Sequence, residues 1–284
     1  MLEAIFLGAL QGLTEFLPIS SSAHIRFAGE IFGTNQDPGA TFTAITQIGT
    51  ELAVLIYFRK DLLRILKAWL NQITRRSLDV SEKGDARIGW LIIVGTLPIG
   101  VLGYLGQDVI RNDFRSLWLI ASVMIIFGVI LGIADKYGKV ERELHQLSPV
   151  HGVLYGFAQS LALIPGVSRS GATIAMGRFL GYSREAALRY SFLLALPAVF
   201  GSGFYELKGA IESDGTDQAF TLPETMVATV IAFVIGYAVI AWLLKFVMTR
   251  SFAPFIYYRI GLGTLILAGL ATGQSHCYVR GRNC

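Results

Sequence analysis

Long apolar runs separated by short polar segments dominate the hydrophobic pattern of this chain. A helix needs about 20 largely apolar residues to cross the hydrocarbon core of a bilayer. Six stretches qualify, and each predicts a membrane-spanning helix. In chain order they are Ala40 to Phe58, Ile88 to Leu105, Leu117 to Ala134, Glu185 to Leu207, Glu224 to Met248 and Phe255 to Gly273. The pattern therefore predicts an all-α integral membrane protein.

Two further apolar stretches are too short to cross a membrane. Leu2 to Leu17 and Val150 to Pro165 each run into a proline and a group of serines. Half-length apolar segments of this kind are typical of re-entrant helices, whose irregular backbone is buried inside the protein. We therefore expect two re-entrant helical hairpins beside the six spans.

The two halves of the chain resemble each other. The first short stretch reads A-L-Q-G-L-T-E-F-L-P-I-S-S-S, and the second reads F-A-Q-S-L-A-L-I-P-G-V-S-R-S. Three predicted spans separate them, and an odd number of crossings inverts the second copy. We expect an inverted-topology repeat, 1–134 and 135–273, within a single membrane domain, 1–284, that ends in a tail, 274–284. Chance similarity between common membrane residues is the alternative.

Composition and charge agree with a membrane location. Apolar residues make up 53% of the chain and charged residues 15%, and the mean hydropathy is +0.55. The formal charge of +4 is concentrated in loops, which argues against nucleic-acid binding. Eight Lys and Arg residues lie between Arg59 and Arg87, and two lie between Gly106 and Ser116. Because basic residues favour cytoplasmic loops, we expect a multi-pass protein of the cell (inner or plasma) membrane with both termini extracytoplasmic.

The first short stretch carries an unusual set of polar side chains. They are Gln11, Glu15, Ser20, Ser21, Ser22 and His24. An ionisable residue at membrane depth costs about 2.5–3.5 kcal/mol on insertion scales, so it indicates function by default. Gln11 and Glu15 are four residues apart and share one helical face. The alternative is a polar interfacial turn whose serines cap the next helix, but capping requires neither Glu15 nor His24.

The second short stretch ends in a glycine-containing loop, Pro165 to Thr173. Gly166 and Gly171 allow close approach of the backbone to a ligand, and Arg169 offers a planar fork of donors matched to phosphate oxygens. Backbone N–H groups at the start of a following helix suit an anion. The hydroxyl groups of this loop belong to Ser168, Ser170 and Thr173. A loop packed between helices, with Arg169 reaching the lipid head groups, is the alternative.

A third polar pair, Gln47 and Glu51, lies on one face of the first full span. It either lines the same cavity as the two loops or is satisfied by neighbouring helices. The two loops together hold a cation, an anion-binding backbone, hydroxyls, an imidazole and a carboxylate. This set suits phosphoryl transfer, which needs a phosphate clamp, a nucleophile or positioned water, and an acid or base.

Two segments carry a resemblance to a known family. Q-G-L-T-E-F-L-P-I-S-S-S-A-H and P-G-V-S-R-S-G-A-T-I are similar to the signatures of the undecaprenyl-pyrophosphate phosphatases of the bacitracin-resistance type. The likeness extends over essentially the whole chain. It implies a membrane hydrolase that removes the terminal phosphate of undecaprenyl pyrophosphate, recycles the lipid carrier for cell-wall synthesis and confers bacitracin resistance. It further implies six spans with two re-entrant hairpins, a possible homodimer, assistance by Mg²⁺ or Ca²⁺, and a site that opens outward.

The resemblance also assigns roles to residues. It implies that Glu15 is the essential glutamate and a metal ligand, Ser21 the nucleophile, His24 the motif histidine and Arg169 the phosphate-binding arginine. The remaining residues expected to contact substrate are Gln11, Ser20, Ser22, Gln47, Gly166, Ser168, Ser170, Gly171 and Thr173. Gln11 stands where the family has glutamate or glutamine, which puts in doubt any scheme that needs two glutamates on this helix.

Two questions stay open at the level of sequence. Ser21 either attacks phosphorus, with Glu15 or His24 taking its proton, or only orients a water molecule. Inverted repeats with broken helices also occur in secondary transporters, so a lipid carrier or flippase is the second functional hypothesis. A purely structural membrane protein is the third, and the buried charges argue against it.

Overall fold

The computed structural model describes residues 1–31, 38–107, 110, 116–138, 142–212 and 219–272. Within these ranges the protein is helical, without a β-strand. Its helices are α1 (Leu2–Thr14), α2 (Ser21–Ile31), α3 (Gly39–Tyr57), α4 (Arg59–Ile73), α5 (Val80–Leu105), α6 (Leu117–Tyr137), α7 (Pro149–Ser160), α8 (Arg169–Phe179), α9 (Arg184–Glu212), α10 (Leu222–Thr249) and α11 (Ala253–Ala271). Short 3₁₀ turns occupy Leu144–Gln146 and Leu161–Leu163.

Six of these helices are long and apolar enough to cross a membrane, as the hydrophobic pattern predicts. They are α3, α5, α6, α9, α10 and α11. The boundaries agree to within a few residues except at the start of α5, which begins at Val80 rather than Ile88. The Asp79 carboxylate caps this start by accepting from the Glu82 N–H at 2.7 Å, while Glu82 accepts from the Asp79 N–H. This capping box extends the helix by two turns beyond the apolar run.

The basic segment after the first span folds into the amphipathic helix α4, which the apolar pattern does not reveal. Ile65 and Ala68 are buried, whereas Leu63, Leu66 and Leu70 are exposed. Exposed leucines beside basic residues suit a helix lying in the membrane interface. Arg64 fixes α4 to the start of α5 through Asp85, with Nε and the carboxylate 2.8 Å apart.

Each of the two short apolar stretches forms a short helix, and a second short helix follows it after the polar loop. Helix α1 has 13 residues and α2 has 11, and α7 and α8 have 12 and 11. At about 1.5 Å per residue, each helix is shorter than the roughly 30 Å hydrocarbon core. None of the four can span a bilayer alone.

Small residues seat the two leading helices against spanning helices. A Cβ on Gly8 of α1 would lie 2.5 Å from the Ala228 carbonyl oxygen in α10, and one on Gly156 of α7 would lie 2.6 Å from the Gly95 carbonyl oxygen in α5. Backbones that approach this closely gain dispersion energy along the whole contact. The pairs α1–α2 and α7–α8 are therefore held among the long helices. The predicted tail, 274–284, and the last residue of the sixth predicted span lie outside the described residues.

Candidate active site

The two polar loops end in the same backbone arrangement. Ser20 and Ser168 each have a positive φ, 73° and 69°, and each directly precedes a helix. A non-glycine residue in this region is uncommon and costs about 1–3 kcal/mol. In each loop the serine hydroxyl lies 3.2 Å from the hydroxyl two residues later, that of Ser22 or Ser170. The side chains at the first helical positions are Ser21 and Arg169.

Glu15 is the centre of the polar cluster. It follows the last residue of α1, and its side chain is 3% exposed. Its Oε2 accepts from Gln11 Nε2 and from Ser21 Oγ, both at 2.6 Å. Gln47 Nε2 lies 3.3 Å from both carboxylate oxygens. The structure therefore places Gln11, Ser21 and Gln47 around one buried carboxylate.

Arg169 joins the second loop to the first. Its Nη2 donates to Glu15 Oε1 at 2.8 Å and to Glu51 Oε1 at 2.6 Å. Its Nη1 is buried and has no hydrogen-bond partner among the described residues. One terminal nitrogen of the guanidinium thus holds two carboxylates, and the N–H groups of the other terminal nitrogen are unpaired in the described structure.

Glu51 is part of this cluster, which answers the question that the sequence left open for the Gln47–Glu51 pair. It is fully buried in α3, one turn after Gln47. Its Oε2 has no partner in the described part of the chain, and neither does Gln11 Oε1. The signal in the sequence was an acidic residue four positions after a glutamine inside an apolar span.

His24 faces a different partner. Its Nδ1 lies 2.7 Å from the Ser20 carbonyl oxygen, and its Nε2 lies 2.8 Å from the Tyr258 hydroxyl. The two rings stack with centroids 5.6 Å apart. Because both ring nitrogens are engaged, His24 is not arranged to take a proton from Ser21. The group at hydrogen-bond distance from that hydroxyl is Glu15.

Several side chains that we expect to contact substrate also hold the second loop together. Ser168 caps α8 by accepting from the Gly171 N–H at 3.2 Å. Ser170 donates to the Leu17 carbonyl oxygen of the first loop at 3.2 Å. Thr173 lies 2.5 Å from the Ser191 hydroxyl and donates to the Arg169 carbonyl oxygen. These hydroxyls orient the loop that carries Arg169.

The two loop glycines make room for protein groups. Gly166 has a φ of +96°, and a Cβ there would lie 2.6 Å from the Ile120 carbonyl oxygen. A Cβ on Gly171 would lie 2.9 Å from Arg259 Nη1. The absence of a side chain at these two positions therefore lets α6 and α11 pack closely against the loop, and the expected approach of a ligand stays a prediction.

Arg259 in α11 is a residue that sequence reasoning missed. It is fully buried, and its guanidinium donates to four backbone carbonyl oxygens at 2.8–3.0 Å. One carbonyl belongs to Met124 of α6, and the others belong to the two loops: Pro18, Gly166 and Val167. Arg259 thus binds the two loops to each other. An arginine within an apolar span was the available signal.

Comparison with known proteins identifies the family of this chain. A family model described as Bacitracin resistance protein BacA matches residues 4–265. This chain belongs to the BacA family. A protein named undecaprenyl-diphosphatase from Pseudarthrobacter chlorophenolicus is 57% identical over 272 residues, which cover 95% of this chain and 97% of that protein.

Other relatives carry the same name. The undecaprenyl-diphosphatase of Arthrobacter sp. is 58% identical, with 92% of this chain and 91% of the relative covered. Undecaprenyl-diphosphatase 2 of Agrobacterium fabrum is 57% identical, with 96% of each covered. The resemblance found in the two motifs is therefore confirmed over nearly the full chain.

Proposed function

We propose that this protein is a membrane phosphatase that hydrolyses undecaprenyl pyrophosphate to undecaprenyl phosphate and inorganic phosphate. It recycles the lipid carrier of cell-wall synthesis and so confers resistance to bacitracin. The observation that carries the proposal is the arrangement in which Glu15 accepts from the Ser21 hydroxyl and is paired with Arg169. It combines a nucleophile, its base and a phosphate-binding cation in one buried cluster.

The arrangement supports attack by Ser21. The hydroxyl donates to Glu15 Oε2 at 2.6 Å, a charge-assisted bond that prepares proton transfer. As Ser21 Oγ bonds to the terminal phosphorus, Glu15 takes its proton and the bridging P–O bond breaks. Undecaprenyl phosphate leaves, and water then hydrolyses the phosphoserine. In the alternative, Glu15 activates water directly and Ser21 only orients it.

Arg169 supports binding of the terminal phosphate. Its unpartnered Nη1 is available to phosphate oxygens while Nη2 stays with the carboxylates. Positive charge at this point stabilises the negative charge on the transferring group. Ser168 and Thr173 contribute by fixing the helix start from which Arg169 projects.

A divalent cation, Mg²⁺ or Ca²⁺, fits the donor set. Both ions prefer oxygen ligands, and Glu15 with the unpartnered Gln11 Oε1 provides buried oxygens on adjacent turns of one chain segment. Among the described residues no three His, Cys, Asp or Glu side chains converge, so amide oxygens or water must complete the set. The ion would neutralise charge on the diphosphate.

We further propose that the pairs α1–α2 and α7–α8 are re-entrant hairpins of an inverted repeat, 1–134 and 135–273. Support comes from the positive φ shared by Ser20 and Ser168 and from the reciprocal packing of α1 on α10 and α7 on α5. Both termini and the site opening would then be extracytoplasmic. A homodimer in the inner or plasma membrane completes this picture.

Cysteine labelling in whole cells tests the proposed orientation. In a background of Cys277→Ser and Cys284→Ser, Ser77→Cys lies in the basic segment after α4, and Ser116→Cys precedes α6. An impermeant reagent should modify Ser116→Cys in intact cells and Ser77→Cys only after lysis, because basic loops stay in the cytoplasm. The reverse pattern would place both termini inside.

Phosphate release by the purified protein tests the function. We expect inorganic phosphate to appear from undecaprenyl pyrophosphate in detergent, and Glu15→Gln to lose this activity while remaining folded. Vesicles that contain the protein measure the second hypothesis, lipid transport, by counterflow of a labelled lipid phosphate. Counterflow without phosphate release would replace the phosphatase by a carrier.

A further inference from the structure

Two buried carboxylates of this protein share a single guanidinium. Arg169 Nη2 lies 2.8 Å from Glu15 Oε1 and 2.6 Å from Glu51 Oε1. With both carboxyl groups ionised, one guanidinium leaves the three side chains with a net charge of −1. Burial of uncompensated charge is costly, and a carboxylate oxygen without a partner adds its own desolvation cost. Glu51 is fully buried and its Oε2 is unpartnered in the described structure. These features indicate a partner that is bound only during function.

A structural carboxylate in the same protein looks different. Asp135, at the end of α6, is buried with both oxygens engaged. Its Oδ1 accepts from Arg184 Nε at 2.6 Å, and its Oδ2 accepts from the Phe252 N–H at 3.0 Å. A second arginine, Arg178, also lies near this carboxylate, with its Nε 3.5 Å from Oδ1. Two arginines therefore lie beside the Asp135 carboxylate, whereas Glu51 shares a single arginine with Glu15.

The shortage of positive charge grows when the substrate binds. When a phosphate binds at Arg169 Nη1 while Nη2 stays with Glu15 and Glu51, one guanidinium faces two buried carboxylates and the diphosphate. A divalent cation supplies the positive charge that is missing. Glu15 Oε1 and Glu51 Oε1 already converge on one nitrogen, at 2.8 and 2.6 Å, so the two carboxylates lie close enough together to bind one ion whose oxygen ligands stand at about 2.0–2.6 Å.

The position of Glu51 also resolves the departure at Gln11. A glutamate at position 11 would give α1 two carboxylates one turn apart. Here the side chain at position 11 is an amide, which donates to Glu15 through Nε2 and leaves its Oε1 unpartnered and buried. The second carboxylate of the cluster comes instead from α3, at Glu51. We propose that Glu15 and Glu51, on two different helices, are the carboxylate ligands of the divalent cation, with the amide oxygen of Gln11 beside them.

This inference rests on the proposed phosphatase function for the purpose of the ion, but cation binding is measurable without substrate. Mn²⁺ serves as the probe, because it prefers the same oxygen ligands as Mg²⁺, and its free concentration is read by electron paramagnetic resonance. In the purified protein, Glu51→Gln should raise the Mn²⁺ dissociation constant by about tenfold or more, since even an outer-shell partner is worth 10–100-fold.

The decisive variant moves the carboxylate between helices. Gln11→Glu combined with Glu51→Gln restores two carboxylates, and we expect Mn²⁺ affinity within a few-fold of the wild type. Glu212→Gln, at the exposed end of α9, is the matched control and should bind Mn²⁺ normally. If Glu51→Gln alone does not fold, the double variant provides the test: Mn²⁺ affinity near that of the wild type supports the proposal, and weak binding overturns it.

Three results would overturn the proposal: wild-type Mn²⁺ affinity in folded Glu51→Gln, weak binding by the folded double variant, or no Mn²⁺ binding by the wild-type protein at millimolar concentration. Failure of the phosphatase function is a separate result. It would appear as absent phosphate release by wild-type protein whose Mn²⁺ binding still depends on Glu51.

Discussion

The backbone has the same conformation at the two helix starts, Ser21 and Arg169, but the side chains there differ. A serine of positive φ precedes each helix, and its hydroxyl lies 3.2 Å from the hydroxyl of the serine two residues later in both loops. At the first helical position, however, α2 presents the hydroxyl of Ser21 and α8 presents the guanidinium of Arg169. The same local geometry therefore aims complementary chemistry at one carboxylate, Glu15.

The helices that lead into these loops differ in the same way. Gln11 and Gln159 each lie nine residues before the strained serine, and both are fully buried. Gln11 bonds to Glu15, whereas the position equivalent to Glu15 in the second loop is Leu163, and neither amide atom of Gln159 has a partner within the described ranges. In the proposed mechanism the first loop supplies acid–base chemistry, and the second supplies positive charge for the phosphate.

Removing the Ser21 hydroxyl should have the largest effect on phosphate release. Ser21→Ala should lower phosphate release on the order of 10³-fold or more if Ser21 forms a phosphoserine. Ser20→Ala and Ser22→Ala are the controls, since neither hydroxyl contacts Glu15, and both should retain most activity. Acid-quenched wild-type enzyme should carry phosphate on the peptide that contains Ser21.

The outcome for the three serines together separates the two mechanisms. A slow residual rate in Ser21→Ala, without a phosphopeptide in the wild type, would assign attack to water activated by Glu15. A triple alanine variant at positions 20–22 that turned over at near wild-type rate would exclude catalysis by serine.

The link between the loops should be next in size. Arg259→Met removes the donors to Pro18, Gly166, Val167 and Met124. A buried group left unpaired costs about 1–3 kcal/mol, so we expect the free energy of unfolding to fall by about 3 kcal/mol or more. Thermal unfolding in detergent measures this loss. Arg250→Met, at the exposed end of α10, should leave the midpoint unchanged, and an equal midpoint in both variants would contradict the role of Arg259.

Replacing Arg169 by lysine should have a smaller effect on phosphate release, and this effect depends on the shape of the side chain rather than on its charge. Arg169→Lys keeps one positive charge but loses the planar fork that, in our proposal, holds the carboxylates through Nη2 and the phosphate through Nη1. We expect phosphate release to fall about 10²-fold in a folded protein. Arg189→Lys, a partly exposed arginine of α9, controls for the substitution. Near-normal turnover in Arg169→Lys would move the clamp to backbone donors or to the cation.

The contact between the two loops through Ser170 should have the smallest effect. Ser170→Ala removes its bond to the Leu17 carbonyl oxygen, which is worth about 0.5–1.5 kcal/mol. We expect a few-fold loss of phosphate release, mainly as a raised KM. Ser202→Ala, whose hydroxyl bonds only within α9, should be neutral. A loss as large as that of Ser21→Ala would make Ser170 a direct participant in the reaction.

The sequence by itself determined the long helices and the identity of the two polar loops. Spans are set by the length of apolar runs, because a bilayer allows no unpaired backbone polar group, and all six predicted spans are helices of sufficient length. Glu15, Ser21 and Arg169 were recognisable because polar residues at membrane depth are costly and the two motifs are specific.

Tertiary structure decided how these residues meet. Whether Glu15 or His24 serves Ser21 depends on side-chain directions across α1, α2 and α11, which no local pattern encodes. Glu51 and Arg259 lie 36 and 90 positions from Glu15 and Arg169 along the chain, and only the packing of α3 and α11 brings them to the loops. Local periodicity fixes which segments become helices, but the energy of a buried charge depends on partners contributed by distant segments.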